Sequence, residues 1–170
     1  MKETHMMKIS SAAGAVLAGV ALATSAAAAE VERFGPVQSP IATAVAVPPG
    51  HGMVYVSGMV PPIIDPKAPQ DSIAAYGDTR TQTLGVLKRL EDALKLKGLT
   101  FADVVMMRVY LVGDPSLGGK MDFGGMMAAY KEHFGTGDQP NKPARVTVQV
   151  ASLVSPGMLV EIEVQAASRP

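Results

Sequence analysis

Cysteine is absent from all 170 residues. No disulfide can brace the fold, no thiolate can serve as a nucleophile, and no lipid-modified cysteine can tether the chain. Histidine is scarce: of three, only His51 and His133 lie beyond the first 29 residues, and neither stands at ligand spacing to the other or to a carboxylate cluster. A metal site is therefore not expected. Charge of one sign is also lacking, since 15 Lys and Arg balance 15 Asp and Glu. Such a chain carries no basic stripe for a phosphate backbone or an anionic membrane, so nucleic acid is not an expected partner. Nucleotide-loop order is missing from "GGKMDFGG", and "VSGMV" lacks the glycine pattern of a serine nucleophile elbow. Aromatic residues make up only 5%; the eleven methionines are read as core filling.

What is present begins with a leader. Lys2 and Lys8 flank a polar start, "AAGAVLAGVALA" is an apolar run, and "SAAAAE" supplies small residues for a peptidase. Residues 1–29 are expected to be a secretory signal peptide cleaved between Ala29 and Glu30, which sends the protein to the periplasm or outside the cell. The run is shorter than the roughly 20 residues of a spanning helix, so no membrane association is expected after processing. Removing two lysines and one glutamate leaves a formal net charge of −1 on residues 30–170, enough chain for one domain.

Within that domain, Glu30–Pro40 lacks periodicity and reads as an irregular lead-in. Ala42–Val47 and Met53–Ser57 are β-prone runs around "PPGHG", expected to form a hairpin. The proline-rich "GMVPPIIDPKAPQDS" is a long loop. Asp78 is an N-cap for a helix whose Leu84, Leu87, Leu90 and Leu94 recur at three- and four-residue steps before Gly98. "FADVVMMRVYLV" reads as a central strand covered on both faces, and "MDFGGMMAAYKEHFG" as a second helix weakened by two glycines. Two strands, "ARVTVQV" and "LVEIEVQAA", follow around a turn at Ser155–Gly157. The expected class is α+β: a two-layer ββαβαββ domain with a mixed sheet and both helices on one face.

The last strand pair raises the chemical question. Val146, Val148 and Val150 alternate with Arg145, Thr147 and Gln149; Val160, Ile162 and Val164 alternate with Glu161 and Glu163. If the two strands pair through the turn, Arg145 lies opposite Glu163 and Thr147 opposite Glu161. That arrangement is either a wet cross-strand ion pair of little worth or a site.

The segments "PARVTVQVASLVSPGMLVEIEVQAA", "VYVSGMVP", "VYLVGDP" and "AAYKEHFG" resemble, in order, the Rid or YjgF-like family of enamine and imine deaminases. The resemblance implies a chorismate-mutase-like fold, a homotrimer with ligand clefts at its subunit boundaries, and no cofactor. It implies hydrolysis of 2-imino acids or their enamine tautomers to 2-keto acids and ammonia. Arg145 matches the arginine that holds the substrate carboxylate, Glu161 the glutamate that helps place the attacking water, and Ser57 the serine after the second strand. Ile41, Met127 and Thr147 stand where the deaminases carry tyrosine, asparagine and cysteine, which makes the cleft more apolar. The alternative is a non-catalytic trimer that binds small carboxylates in the same clefts.

Overall fold

The computed structural model describes residues 29–169; the expected leader lies outside them except for Ala29. The elements run β1 (Glu32–Phe34), β2 (Ala44–Ala46), β3 (Gly52–Met59), α1 (Thr79–Lys95), β4 (Val104–Val112), α2 (Phe123–Tyr130), β5 (Ala144–Val150) and β6 (Val160–Ser168). Both helices pack against a mixed sheet of order β3-β6-β4-β5, in which only β4 and β5 are parallel. The α+β class and the two-helix layer are as the sequence indicates.

Helix α1 forms because its start and its buried stripe agree. Asp78 accepts a hydrogen bond from Thr81 N at 2.8 Å, satisfying one of the orphan donors of the first turn. Val86, Leu87, Leu90 and Leu94 are fully buried against the sheet, each contributing roughly 1.5–3 kcal/mol of apolar burial. Just beyond the helix, Gly98 takes φ 67°, the left-handed turn that ends such helices. A buried amide fixes the helix to the chain's last loop. Gln82 donates through Nε2 to Gly77 O at 2.8 Å and Gly157 O at 3.0 Å, and accepts from Leu159 N at 2.7 Å.

Two expected strand pairings do not form. The hairpin between 42–47 and 53–57 does not form: β2 pairs with β1, in the segment read as irregular, and β3 pairs with β6. The turn geometry of "PPGHG" is overridden by partners far along the chain. Nor do β5 and β6 pair. Strand β4 lies between them, so Glu163 sits opposite Arg108, Glu161 opposite Tyr110, Arg145 beside Met107 and Thr147 beside Val109. A parallel neighbour needs a crossover, and α2 supplies it between β4 and β5.

β4 is central but covered by helices on one face only. Met107, Val109 and Leu111 are fully buried, whereas Met106, Arg108, Tyr110 and Val112 on the other face remain partly accessible. Register then puts Arg145 and Thr147 on the helix-covered face, and Val146, Val148 and Val150 on the open one. This reverses the assignment that alternation alone suggests. Val146 and Val148 are each 40% exposed.

Candidate functional site

Helix α2 carries Phe123, Met127 and Tyr130 at i, i+4 and i+7, one stripe along its surface. That stripe faces Arg145 at the edge of the sheet. The guanidinium lies over the Tyr130 ring, 4.4 Å from its centroid, with the Phe123 ring at 5.9 Å. Nη2 donates to the Met127 sulfur at 3.1 Å. Nη1 is buried without a partner, as is the hydroxyl of Thr147 two residues on. Burial lowers the Arg145 pKa, while the neighbouring Tyr130 hydroxyl pulls it upward. Arginine stays protonated through such shifts.

A cation so placed is short of oxygen acceptors. Thioether sulfur accepts weakly, and aromatic faces offset only part of the lost hydration. Among the described residues no carboxylate makes an ion pair with Arg145, although five other ion pairs form. Tyr130 does not fill the gap: its hydroxyl donates to Pro40 O at 3.0 Å, and burial pushes its phenol up to about 12. Ile41 comes close through the next residue, where Ala42 bridges Ala144 and packs its N–H on Pro143 O at 3.0 Å. The structure thus gathers Arg145, Thr147 and Met127, with Ile41 adjoining. Phe123 and Tyr130 complete the group. Sequence reasoning missed these two aromatics, although their helical spacing with Met127 was legible.

Glu161 and Ser57 lie elsewhere. Both are on the open face of the sheet, where Gly58, next to Ser57, leaves room for the Glu161 carboxylate. A Cβ at Gly58 would overlap Glu161 Oε1 and approach its Cδ to 3.0 Å. The two glutamates of "VEIEV" are not equivalent. Glu163 accepts from Arg108 Nη1 at 2.9 Å and Tyr110 Oη at 3.1 Å, whereas Glu161 makes no ion pair among the described residues. The available carboxylate is Glu161.

Arg145 and Glu161 cannot meet one small ligand within a single chain. They are separated by two strand spacings and three residues along β4, about 14 Å between backbones, and they project from opposite faces. No group of three or more metal-ligating side chains occurs among the described residues. None of their helices is long and apolar enough to cross a membrane.

Comparison with known proteins adds the following. The family model described as Endoribonuclease L-PSP matches residues 36–168. A RutC family protein of Pyrococcus horikoshii is 34% identical over 110 residues, which cover 65% of this chain and 75% of that protein. A Yersinia pestis protein of unknown function from the conserved Rid family has a similar structure: TM-score 0.58 at 22% identity, covering 80% of this chain and 97% of that one. Yeast Mmf1 gives a TM-score of 0.51 at 26% identity over 82% of this chain and 100% of its own. The Yersinia likeness bears on the fold alone.

Proposed function

Because the chain belongs to the endoribonuclease L-PSP family, the YjgF or Rid group, we propose that it is an exported, cofactor-independent deaminase. It hydrolyses 2-imino acids or their enamine tautomers to 2-keto acids and ammonia. The observation that carries this reading is the state of Arg145: a half-buried, permanently charged fork held by two rings and a thioether, with one nitrogen unpartnered. A carboxylate supplies two parallel oxygen acceptors to such a fork.

In this reading the protein is a homotrimer, and each cleft combines Arg145, Thr147, Met127 and Ile41 of one subunit with Glu161 and Ser57 of the next. The 14 Å separation on opposite faces, about three times a strand spacing, favours a site shared between copies. So does the uncovered sheet face, where Tyr55 is 72% exposed and Val146 and Val148 form an apolar strip. Arg145 fixes the carboxylate. Glu161 accepts a proton from a water as its oxygen attacks the imine carbon; ammonia leaves once the nitrogen has been protonated and the C–N bond breaks. Most of the gain comes from positioning in a partly dry cleft.

The apolar Ile41 and Met127 favour a second reading, a trimer that binds small carboxylates without turning them over. One assay separates the two. An amino-acid oxidase generates 2-iminobutyrate, and the protein is added. Faster 2-ketobutyrate formation supports the deaminase; binding of 2-ketobutyrate without acceleration supports the binding protein; neither refutes both. Light scattering should report three times the mass of the processed chain, and a stable monomer would remove the shared cleft. Export predicts that mass spectrometry finds an N-terminus within a few residues of Glu30.

A further inference from the structure

Oxidisable sulfur in this chain is thioether only, since it has eleven methionines and no cysteine. Met107 and Met126 are fully buried in the core, whereas Met127 is partly accessible at the edge of the sheet. Among the described methionines, Met127 alone has its sulfur hydrogen-bonded, with Arg145 Nη2 donating to it at 3.1 Å. The same guanidinium carries Nη1, buried without a partner.

We propose that Met127 is a site of reversible oxidation by a peroxide, and that its sulfoxide closes the Arg145 fork to carboxylates. This rests on the reading of Arg145 as the carboxylate holder and adds a means of regulating it. In the step itself, sulfur attacks one peroxide oxygen with the lone pair that Nη2 does not use. An S–O bond forms as the O–O bond breaks, hydroxide leaves, and the proton on the transferred oxygen joins it to give water. The thioether loses two electrons and the peroxide gains them. Charge separates along the way, and Nη1 is a cationic donor for the departing hydroxide. Access follows from the site's purpose: a cleft that admits a 2-keto acid admits hydrogen peroxide, which is smaller.

The product changes what the fork meets. A thioether accepts weakly, while a sulfoxide is polar and concentrates negative charge on its oxygen. That oxygen stands one bond beyond a sulfur already in contact with Nη2, and three rotatable bonds let the side chain turn it onto the guanidinium. There it takes donors that the ligand carboxylate needs. It does so from within the chain, at the high effective concentration of a tethered group.

The test treats the processed protein with hydrogen peroxide, removes the excess with catalase and reads three signals. Tandem mass spectrometry of the tryptic peptide 121–131 should place oxygen on Met127 well ahead of Met126, its fully buried neighbour. Calorimetric titration should show 2-ketobutyrate binding weakened at least roughly tenfold by treatment of the wild type, and by less than about twofold in Met127→Leu, each compared with its own untreated form. Methionine sulfoxide reductase should restore the wild type. Finally, the Nε–H resonance of Arg145, assigned by its loss in Arg145→Ala, should shift on oxidation of the wild type and stay in place in Met127→Leu. Oxidation of Met126 as fast as Met127, an Arg145 resonance unmoved once Met127 is oxidised, or equal loss of affinity in Met127→Leu would each overturn the proposal. If the untreated protein fails to bind 2-ketobutyrate, the carboxylate reading is what falls, and the peptide and the Arg145 resonance still decide whether Met127 is oxidised onto the fork.

Discussion

Replacing Arg145 separates its two roles, because its contacts within the chain are weak and its proposed contact with ligand is strong. Inside the chain, Arg145→Ala removes a stack on Tyr130 at 4.4 Å and a hydrogen bond to a thioether at 3.1 Å. The stack is worth about 0.5–2 kcal/mol. Against it, the change also removes a desolvated cation with one unpartnered nitrogen, so the net loss of stability should stay below about 2 kcal/mol. For a domain of this size that lowers the melting temperature by roughly 4–8 °C. A bidentate, partly desolvated carboxylate contact is worth about 2–5 kcal/mol, so 2-ketobutyrate should bind roughly 30- to 5000-fold more weakly.

Arg145→Lys sharpens the distinction. It keeps the charge over Tyr130 but cannot present two parallel donors, and should recover only part of the lost affinity. The assay pairs calorimetric titration of 2-ketobutyrate with thermal unfolding of wild type and both variants. Unchanged affinity, together with a stability loss beyond about 3 kcal/mol, would show that the aromatic cage exists to anchor a structural arginine. That result would refute the reasoning.

Three further outcomes follow from the geometry. The Tyr130 phenol is raised from 10.0 to about 12 chiefly by burial; stability from a raised acid is complete below pH 10 and is lost as pH climbs to 12, by up to about 3 kcal/mol. Tyr130→Phe should abolish that alkaline slope while starting about 1 kcal/mol lower for want of the Pro40 hydrogen bond; an unchanged slope in chemical denaturation would assign it elsewhere. Gln82→Ala strands the buried Leu159 N–H and two carbonyls, and should cost about 2–4 kcal/mol in urea unfolding; a loss under 1 kcal/mol would mean that water replaces the amide. Gly58→Ala should displace the Glu161 carboxylate and lower turnover at least roughly tenfold, leaving 2-ketobutyrate affinity within a factor of three. Equal loss of both would place Glu161 in binding instead.

Local signals were legible in the sequence where short-range physics decides. Asp78 with its leucine ladder gave α1, and the valine-rich runs gave β3 to β6. Pairing was not legible. The turn at Ser155–Gly157 looks like a hairpin, yet the parallel β4–β5 contact places a third strand between its arms, and nothing in either run specifies that neighbour. The error over Arg145 has a related cause. Alternation shows that two faces differ without saying which is covered, and β5 is an edge strand whose helix side meets the eight-residue α2 and the loop before it, where Gln149 donates to Gly119 O and accepts from Met121 N. That thin cover admits a guanidinium among aromatic rings, while the valines are left on the uncovered face. Glu161 as the available carboxylate was legible only by resemblance. Its distinction from Glu163 depends on Arg108 and Tyr110, which alternation could not bring together.

The sheet's order also constrains when the chain can fold. β6, the last element, is bonded to β3 on one side and β4 on the other, and its register reaches from Ser168 back to Gly52. Until those final residues emerge from the ribosome, β3 has no partner, the inner flank of β4 is bare, and the leucines of α1 lack their floor. Loop closure over so long a separation is slow. The nascent chain therefore remains open to whatever machinery handles unfolded polypeptides until β6 has emerged, and a chain without that strand keeps the β4–β5 pair but leaves β3 unpaired.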